Sequence, residues 1–391
     1  MKTSKLIEKI SGPASKAWIV GDKAFDMIDR GMDVIHLGIG DPDFDTPSHI
    51  IASLEKALSS GKTHYSPLLG ETALREEIAI HAKKLYGGQI SKENVAVLPG
   101  AQAALFSSFL CIAEIGDEVI TLEPTYATYP AVMRASGAKL ITVELNRNEK
   151  GYYLDLNDIE KAITSKTKAI LINSPSNPSG AVFTQENLNK LADLCKEKGV
   201  WLISDEVYWS LCYENDHASA FTQLHTRENV IVLNSLSKSH AMTGWRIGWI
   251  IAPEEIIEAM LFLSQAQYFG VSQFIQMAAI EALKDFENPR KFKEIFRERR
   301  DVFVAELNKS KVLNSNTPQG GMFLLIDIEK TGIDGQSFAE RLLDEEHVAV
   351  VPGFGFGDSM KYSIRVGFLD EIPRLIEAAQ RIVRFAESIK N

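Results

Sequence analysis

Several apolar runs in this chain end in residues able to do chemistry. Val230–Asn234 leads into Ser235-Leu236-Ser237-Lys238, and Trp201–Ser204 ends at Asp205-Glu206 with Tyr208 just beyond. Ala169–Asn173 runs into Ser174-Pro175-Ser176-Asn177, while Val95–Leu98 runs into Pro99-Gly100-Ala101-Gln102, where a glycine opens an alanine-rich helix. Tyr126 stands in Glu123-Pro124-Thr125-Tyr126, and Arg246 follows Lys238 after a turn containing Thr243-Gly244. A lysine amine can form a Schiff base, a carboxylate can keep a pyridine nitrogen protonated, and an amide and a phenol can hydrogen-bond a phenolic oxygen. A helix N-terminus at Gly100, Ala101 and Gln102, the Ser235 hydroxyl and the Arg246 fork suit a phosphate. The set fits pyridoxal 5'-phosphate (PLP), carried by Lys238, with Asp205 at the ring nitrogen and Asn177 and Tyr208 at the phenolic oxygen.

Taken singly, each residue has an ordinary role. An Asp after a strand caps a helix, a loop Lys is solvated, an Asn between prolines makes a turn, and a Tyr fills a core. Joint placement is what argues for a site, because ligands of open α/β sheets bind beyond the carboxyl ends of the strands.

The elements that must position these residues alternate. Glu118–Leu122, Lys139–Val143 and Ile247–Ile251 complete a set of seven candidate strands, several almost wholly apolar, as when helices cover both faces of a largely parallel sheet. Helix-length segments lie between them, such as Gln185–Glu197 with Leu188, Leu191, Ala192 and Cys195 on one face. The gap from Val230–Asn234 to Ile247–Ile251 is too short for a crossover helix, so that pair is expected antiparallel and the sheet mixed. Glu254 to Leu307 reads as long and helical, with Arg297, Arg299 and Arg300 on a solvated face. Further strands are expected at Met322–Ile328, Val348–Val351 and Ser363–Val366. These patterns predict an α/β protein with a large domain over 49–289 and a smaller α+β domain from 1–48 and 290–391.

Composition narrows the function. The chain has 391 residues, 45% of them hydrophobic, and a formal net charge of -10, which argues against nucleic-acid and anionic-membrane partners. Three scattered cysteines give neither a disulfide framework nor a zinc site, and no metal is expected. Met1 to Ile10 is too charged for a signal peptide and no apolar stretch reaches membrane-helix length, so the reading is soluble and cytoplasmic. Leu37-Gly38-Ile39-Gly40 lacks the third glycine of a dinucleotide fingerprint, having Asp43 there, and Gly353-Phe354-Gly355-Phe356-Gly357 precedes no helix. Both are expected to be loops with positive φ.

With these residues in view, the sequence resembles the class I aminotransferases of the aspartate aminotransferase superfamily. The matching stretches are Gly40-Asp41-Pro42-Asp43-Phe44-Asp45-Thr46-Pro47, Tyr65 with Gly70 and Leu74-Arg75, Asn173 to Gly180, Ser204-Asp205-Glu206-Val207-Tyr208 and Ser235 to Trp249. With Arg365 they span nearly the whole chain, and the Lys238 stretch is the most specific. The resemblance implies the type I fold of PLP-dependent transferases, Lys238 as Schiff-base lysine and proton shuttle, and Tyr126 stacked on the ring. It further implies Arg365 on the substrate α-carboxylate with help from the Gly40 backbone, and a homodimer in which Tyr65 reaches the other subunit's phosphate. Related bacterial aspartate aminotransferases carry a lysine for the distal carboxylate where this chain has Gln102. The Lys238 and Gly100-Ala101-Gln102 stretches resemble arginine–pyruvate aminotransferases most, with Trp18, Tyr268 and Phe269 as candidate pocket aromatics. The expected activity is transfer of the amino group of an arginine-like or neutral L-amino acid to a 2-oxo acid such as pyruvate. The rival readings are an aspartate aminotransferase using 2-oxoglutarate, a PLP-dependent β-lyase of the same fold and, least favoured, an aminotransferase-like regulator.

Overall fold

The apolar runs are strands of one seven-stranded sheet in the computed structural model, which describes residues 3–221 and 228–389. Met1 and Lys2 of the N-terminal stretch lie outside the described residues. The strands are β1 (Val95–Leu98), β2 (Glu118–Glu123), β3 (Lys139–Glu144), β4 (Thr167–Asn173), β5 (Trp201–Asp205), β6 (Val230–Ser235) and β7 (Gly248–Ile251). Their order is β1-β7-β6-β5-β4-β2-β3. Every strand runs the same way except β7, which is antiparallel to both β6 and β1. The expected mixed α/β sheet is therefore present, with the reversal where the short connection required it.

Helices cover both faces, so alternate residues of one strand enter two cores. Val95, Ile170, Leu202 and Val232 point into one, with Leu188, Leu191, Ala192 and Cys195 of the helix Gln185–Lys198. Ala96, Leu171, Ile203 and Ile231 point into the other, with Leu105 and Phe109 of α1 (Ala101–Ile112). Two glycines allow the sheet to close over α1. A Cβ on Gly248 would lie 2.6 Å from the Ala101 nitrogen, and Gly100 has φ of +84°. The rim where β1 meets α1 is thus brought tightly against β7.

A second sheet is antiparallel, with β8 (Asn314–Ser315), β9 (Phe323–Asp327), β10 (Val351–Pro352) and β11 (Ser363–Gly367) in the order β8-β9-β11-β10. Ile35–His36 adds a parallel pairing with Val348–Ala349, which ties the N-terminal segment to this part of the molecule. Phe296, Phe303, Phe338 and Phe385 fill the associated core.

The sequence reading departs from the structure at the arginine cluster. Glu254 to Leu307 comprises three helices, Glu254–Gln267, Gln273–Lys284 and Glu287–Leu307, and only Arg297 behaves as a solvated residue, pairing with Glu294. Arg299 is buried and grips both oxygens of Asp43 at 2.6 and 2.8 Å. Arg300 is buried too, donating to the Pro318 carbonyl at 2.8 Å and pairing with Glu214 at 3.0 Å. The glycine loops also differ from expectation. Gly38, Gly40, Gly353 and Gly355 do not have positive φ, whereas Gly357 does, at 144°. Gly40 serves close approach instead, since a Cβ there would meet the Phe323 ring at 3.0 Å.

Arg299→Ala leaves Asp43, itself partly exposed, without its bidentate partner, so unfolding in urea should show a loss of about 1–3 kcal/mol. An unchanged midpoint would mean the pair contributes nothing.

Candidate active site

Beyond the carboxyl ends of β1, β4, β5 and β6 lies a cavity of about 220 Å³. It is lined by Gly40, Ala101, Gln102, Tyr126, Asn177, Asp205, Tyr208, Ser235, Lys238, Arg246 and Arg365, which the sequence reading singled out from widely separated stretches. The register of neighbouring strands explains the convergence. Asn173 pairs with Asp205, and Asp205 with Leu233, so the parallel strands deliver their following residues to one rim.

Asp205 is buried. Its Oδ2 accepts from the Tyr129 hydroxyl at 2.6 Å and its Oδ1 from the Val207 N–H at 3.2 Å. Burial nevertheless pushes the carboxyl up to about 6, against the pull of those two donors. Lys238 donates its Nζ to the Gly40 carbonyl. Burial lowers its ammonium to about 8, although the Asp41 carboxylate pulls the other way. Its amine is therefore available as a nucleophile nearer to neutrality than an ordinary lysine.

Arg365 on β11 is 1% exposed, enclosed by the Phe323 ring at 4.1 Å and the Phe356 ring at 5.1 Å. Nη1 donates to Asn177 Oδ1 at 3.2 Å and Nη2 to the Gly38 carbonyl at 2.6 Å, while Nε has no partner. Among the described residues no carboxylate pairs with it, and burial lowers its guanidinium to about 10. A buried cation facing a cavity without a counter-ion is a site for an anion.

Arg246, on the same cavity, has φ of 52° and donates Nη1 to the Thr243 carbonyl at 2.7 Å. Its guanidinium occupies the space a Cβ of Gly100 would take, at 2.5 Å. The first N–H groups of α1 have no partner within the helix, and Ser235 and Ser237 line the same cavity. These groups also suit an anion.

Three expected residues are elsewhere. Tyr65 is 80% exposed and packs edge-on against Phe269, with ring centroids 5.2 Å apart. Tyr65, Tyr268 and Phe269 line a separate surface cavity, whereas Trp18 does line the cavity of Lys238. Sequence reasoning also missed residues that belong there: Tyr129, Ser237, Asn173, Thr243 and Phe323. The rim rule, applied after β2 as well, would have reached Tyr126 and, three residues later, Tyr129, and Ser237 lies within a stretch already singled out.

The model of aminotransferase class I and II matches residues 32–381. The chain belongs to this family. The aminotransferase is 38% identical over its whole length to the arginine–pyruvate transaminase of Pseudomonas aeruginosa, covering 99% of it. It is 35% identical to the aspartate aminotransferase of Pyrococcus horikoshii, covering 94% of each chain. Its fold superposes on the aspartate aminotransferase of Thermus thermophilus solved with maleate at a TM-score of 0.93, with 35% identity, 98% of this chain and 100% of that one. Members of the family use PLP. Among the described residues of the aminotransferase, no helix is long and apolar enough to cross a membrane.

The buried lysine has a measurable cost. Between pH about 8 and 10.5, Lys238 is neutral in the folded chain and protonated in the unfolded one, so stability rises with pH through that window. Below pH 8 the full penalty is present. In cofactor-free protein, Lys238→Met should therefore be more stable than the parent at pH 7, by up to roughly 3 kcal/mol, with the difference shrinking toward pH 10.5. Denaturant midpoints across pH measure this, and a gap independent of pH refutes it.

Proposed function

We propose that this aminotransferase holds PLP on Lys238 and transfers the amino group of a basic or neutral L-amino acid to a small 2-oxo acid, arginine with pyruvate being the favoured pair. The observation that carries the reading is Arg365, a buried guanidinium with an unpartnered Nε and, among the described residues, no carboxylate partner, lining one cavity together with a buried lysine amine. It suits the α-carboxylate that every amino-acid substrate shares, gripped as a fork with the Asn177 amide beside it.

The fit of the cofactor rests on the donor set. The raised Asp205 carboxyl needs a cation, and a pyridinium nitrogen would return it to the ionised form. Ala101, Gln102, Ser235 and Arg246 line the same cavity, with Gly100 against the Arg246 guanidinium, and would hold the phosphate; Tyr126 would stack on the ring, and Asn177 and Tyr208 would meet its phenolic oxygen. When bound, PLP supplies an electron sink for the bond that breaks at the substrate α-carbon. The chain supplies the rest. Lys238 gives the attachment amine and, once freed, moves the proton. Tyr129 fixes the Asp205 carboxylate. In this reading the cofactor sits on a domain of 49–289, and a domain of 1–48 and 290–391 brings Gly40 and Arg365 to it.

Donor preference follows from what the cavity lacks. Its cations are Lys238, Arg246 and Arg365, each with a role above, and Gln102, which accepts from Thr128 Oγ1 at 3.2 Å, is neutral. A second substrate carboxylate would be left poorly paired. The likeness to the arginine–pyruvate transaminase supports the same side, while the aspartate aminotransferases among the relatives supply the rival. Tyr65, exposed beside Phe269, suits a dimer in which it serves the partner's phosphate site.

Borohydride reduction of PLP-loaded protein followed by peptide mapping should place the pyridoxyl group on Lys238; label on another lysine sinks the assignment. Steady-state kcat/KM with a panel of donors against pyruvate and 2-oxoglutarate decides the substrate. Arg365→Ala should lower it for all donors by about 10²-fold or more, the worth of a charge-assisted bidentate contact. Gln102→Lys should raise the aspartate-to-arginine ratio. If aspartate leads in the parent enzyme, the donor reading fails. Mixing Tyr65→Ala with Lys238→Ala chains should restore some activity through hybrid sites, and full activity from a monomer would overturn the shared site.

A further inference from the structure

Among the described residues, two hydrogen bonds aim Arg365. The shorter, at 2.6 Å, runs from Nη2 to the Gly38 carbonyl, and the longer, at 3.2 Å, from Nη1 to Asn177 Oδ1. The Gly38 carbonyl stands just past the backbone bonds that hold its segment. Leu37 is still tied on both sides, donating to the Ala349 carbonyl at 2.9 Å and accepting from the Gly367 N–H at 2.7 Å. Beyond it come Gly38-Ile39-Gly40, where two glycines leave the backbone free to turn. The Gly40 carbonyl of the same stretch accepts from Lys238 Nζ.

His36 supplies the missing hold. Its Nδ1 accepts from the Gly38 N–H at 3.2 Å, and the ring lies so near the backbone that a Cβ on Gly38 would meet Cε1 at 3.1 Å. The Phe25 ring covers the imidazole, with centroids 5.0 Å apart. Burial, reinforced by the Arg365 charge, holds the ring below the ordinary histidine range, with the Gly21 backbone pulling the other way. The ring is therefore uncharged at neutral pH, and the donor facing Nδ1 leaves its proton on Nε2. That Nε2 is buried and makes no well-aligned hydrogen bond. An apolar side chain would fill the space without stranding a polar atom, so packing alone does not call for histidine here. What the imidazole adds is an acceptor for Gly38.

We propose that His36 is a positioning residue for substrate binding: its Nδ1 fixes the Gly38 peptide, and the Gly38 carbonyl in turn keeps the Arg365 guanidinium aimed at the α-carboxylate. The inference rests on the reading of Arg365 given above. Amino donors and 2-oxo acid acceptors share that carboxylate, so both depend on His36.

PLP-loaded His36→Leu and His36→Ala remove the acceptor, whereas His36→Asn keeps one, since its Oδ1 hangs from Cγ as Nδ1 does. Arginine and aspartate serve as donors, pyruvate and 2-oxoglutarate as acceptors. Both acceptor-free variants should raise KM for every substrate by roughly fivefold, the worth of one hydrogen bond, and change kcat by less than about twofold. His36→Asn should return KM to near the parent value. Propionate, which has the carboxylate but no amino group to transfer, reads the same contact without turnover. Its inhibition constant should rise roughly fivefold in His36→Leu and recover in His36→Asn. KM unchanged in both acceptor-free variants, kcat falling as far as KM rises, or His36→Asn behaving as His36→Leu overturns the role. If Arg365→Ala itself leaves the propionate constant unchanged, the carboxylate site fails first, and the role of His36 with it.

Discussion

Three ionisable groups, Asp205, Lys238 and Arg365, are withdrawn from water into one cavity, and the cost of that withdrawal organises everything around them. Each is pushed by burial toward its neutral form. An unligated chain tolerates this only because neighbours offset part of the cost: Tyr129 and the Val207 N–H for the carboxylate, the Gly40 carbonyl for the amine, and Asn177 with the Gly38 carbonyl for the guanidinium. The compensation is incomplete for each, and the shortfall has a direction. A carboxylate short of a cation, an amine poised to lose its proton and a cation short of an anion define the ligand by its complement. Stability given up here is held elsewhere, in the two apolar cores that flank the large sheet and the phenylalanine-rich core of the smaller one.

Much of the fold was legible because period and length decide it. Fully buried strands such as β5 and β6 are continuous apolar runs, and no helix fits between β6 and β7, so β7 had to reverse. The site was legible by the same logic, since parallel strands deliver their last residues to a common edge. Types and order therefore located Lys238, Asp205, Asn177 and Arg246 without coordinates.

What stayed hidden depended on contacts between distant stretches. Arg299 and Arg300 look solvated because nothing local to the helix Glu287–Leu307 announces Asp43 or the Pro318 carbonyl as partners. Tyr129 sits at the start of a helix, where an aromatic reads as core, and only the approach of β5 gives its hydroxyl a carboxylate. Tyr268 and Phe269, taken as pocket aromatics from residue type alone, lie beside Tyr65 because the helix Glu254–Gln267 ends on that surface. Gly38 and Gly40 were read for backbone freedom, whereas Gly40 is needed for the nearness of the Phe323 ring.

The reversed strand β7 also imposes an order of events on the growing chain. Among the described strands β1 pairs with β7 alone, its other edge meeting the Leu69 carbonyl and the Arg75 side chain, and about 150 residues separate the two strands, so β1 emerges from synthesis long before its partner strand exists. Until residue 251 has emerged, the apolar Val95-Ala96-Val97-Leu98 edge and the outer edge of β6 are both open, each a template for strands of other chains. A chain stopped short of β7 would carry two sticky borders and would lack Arg365. Such a long-range closure makes for slow assembly, and the cavity is complete only once β11, more than a hundred residues beyond β7, has arrived.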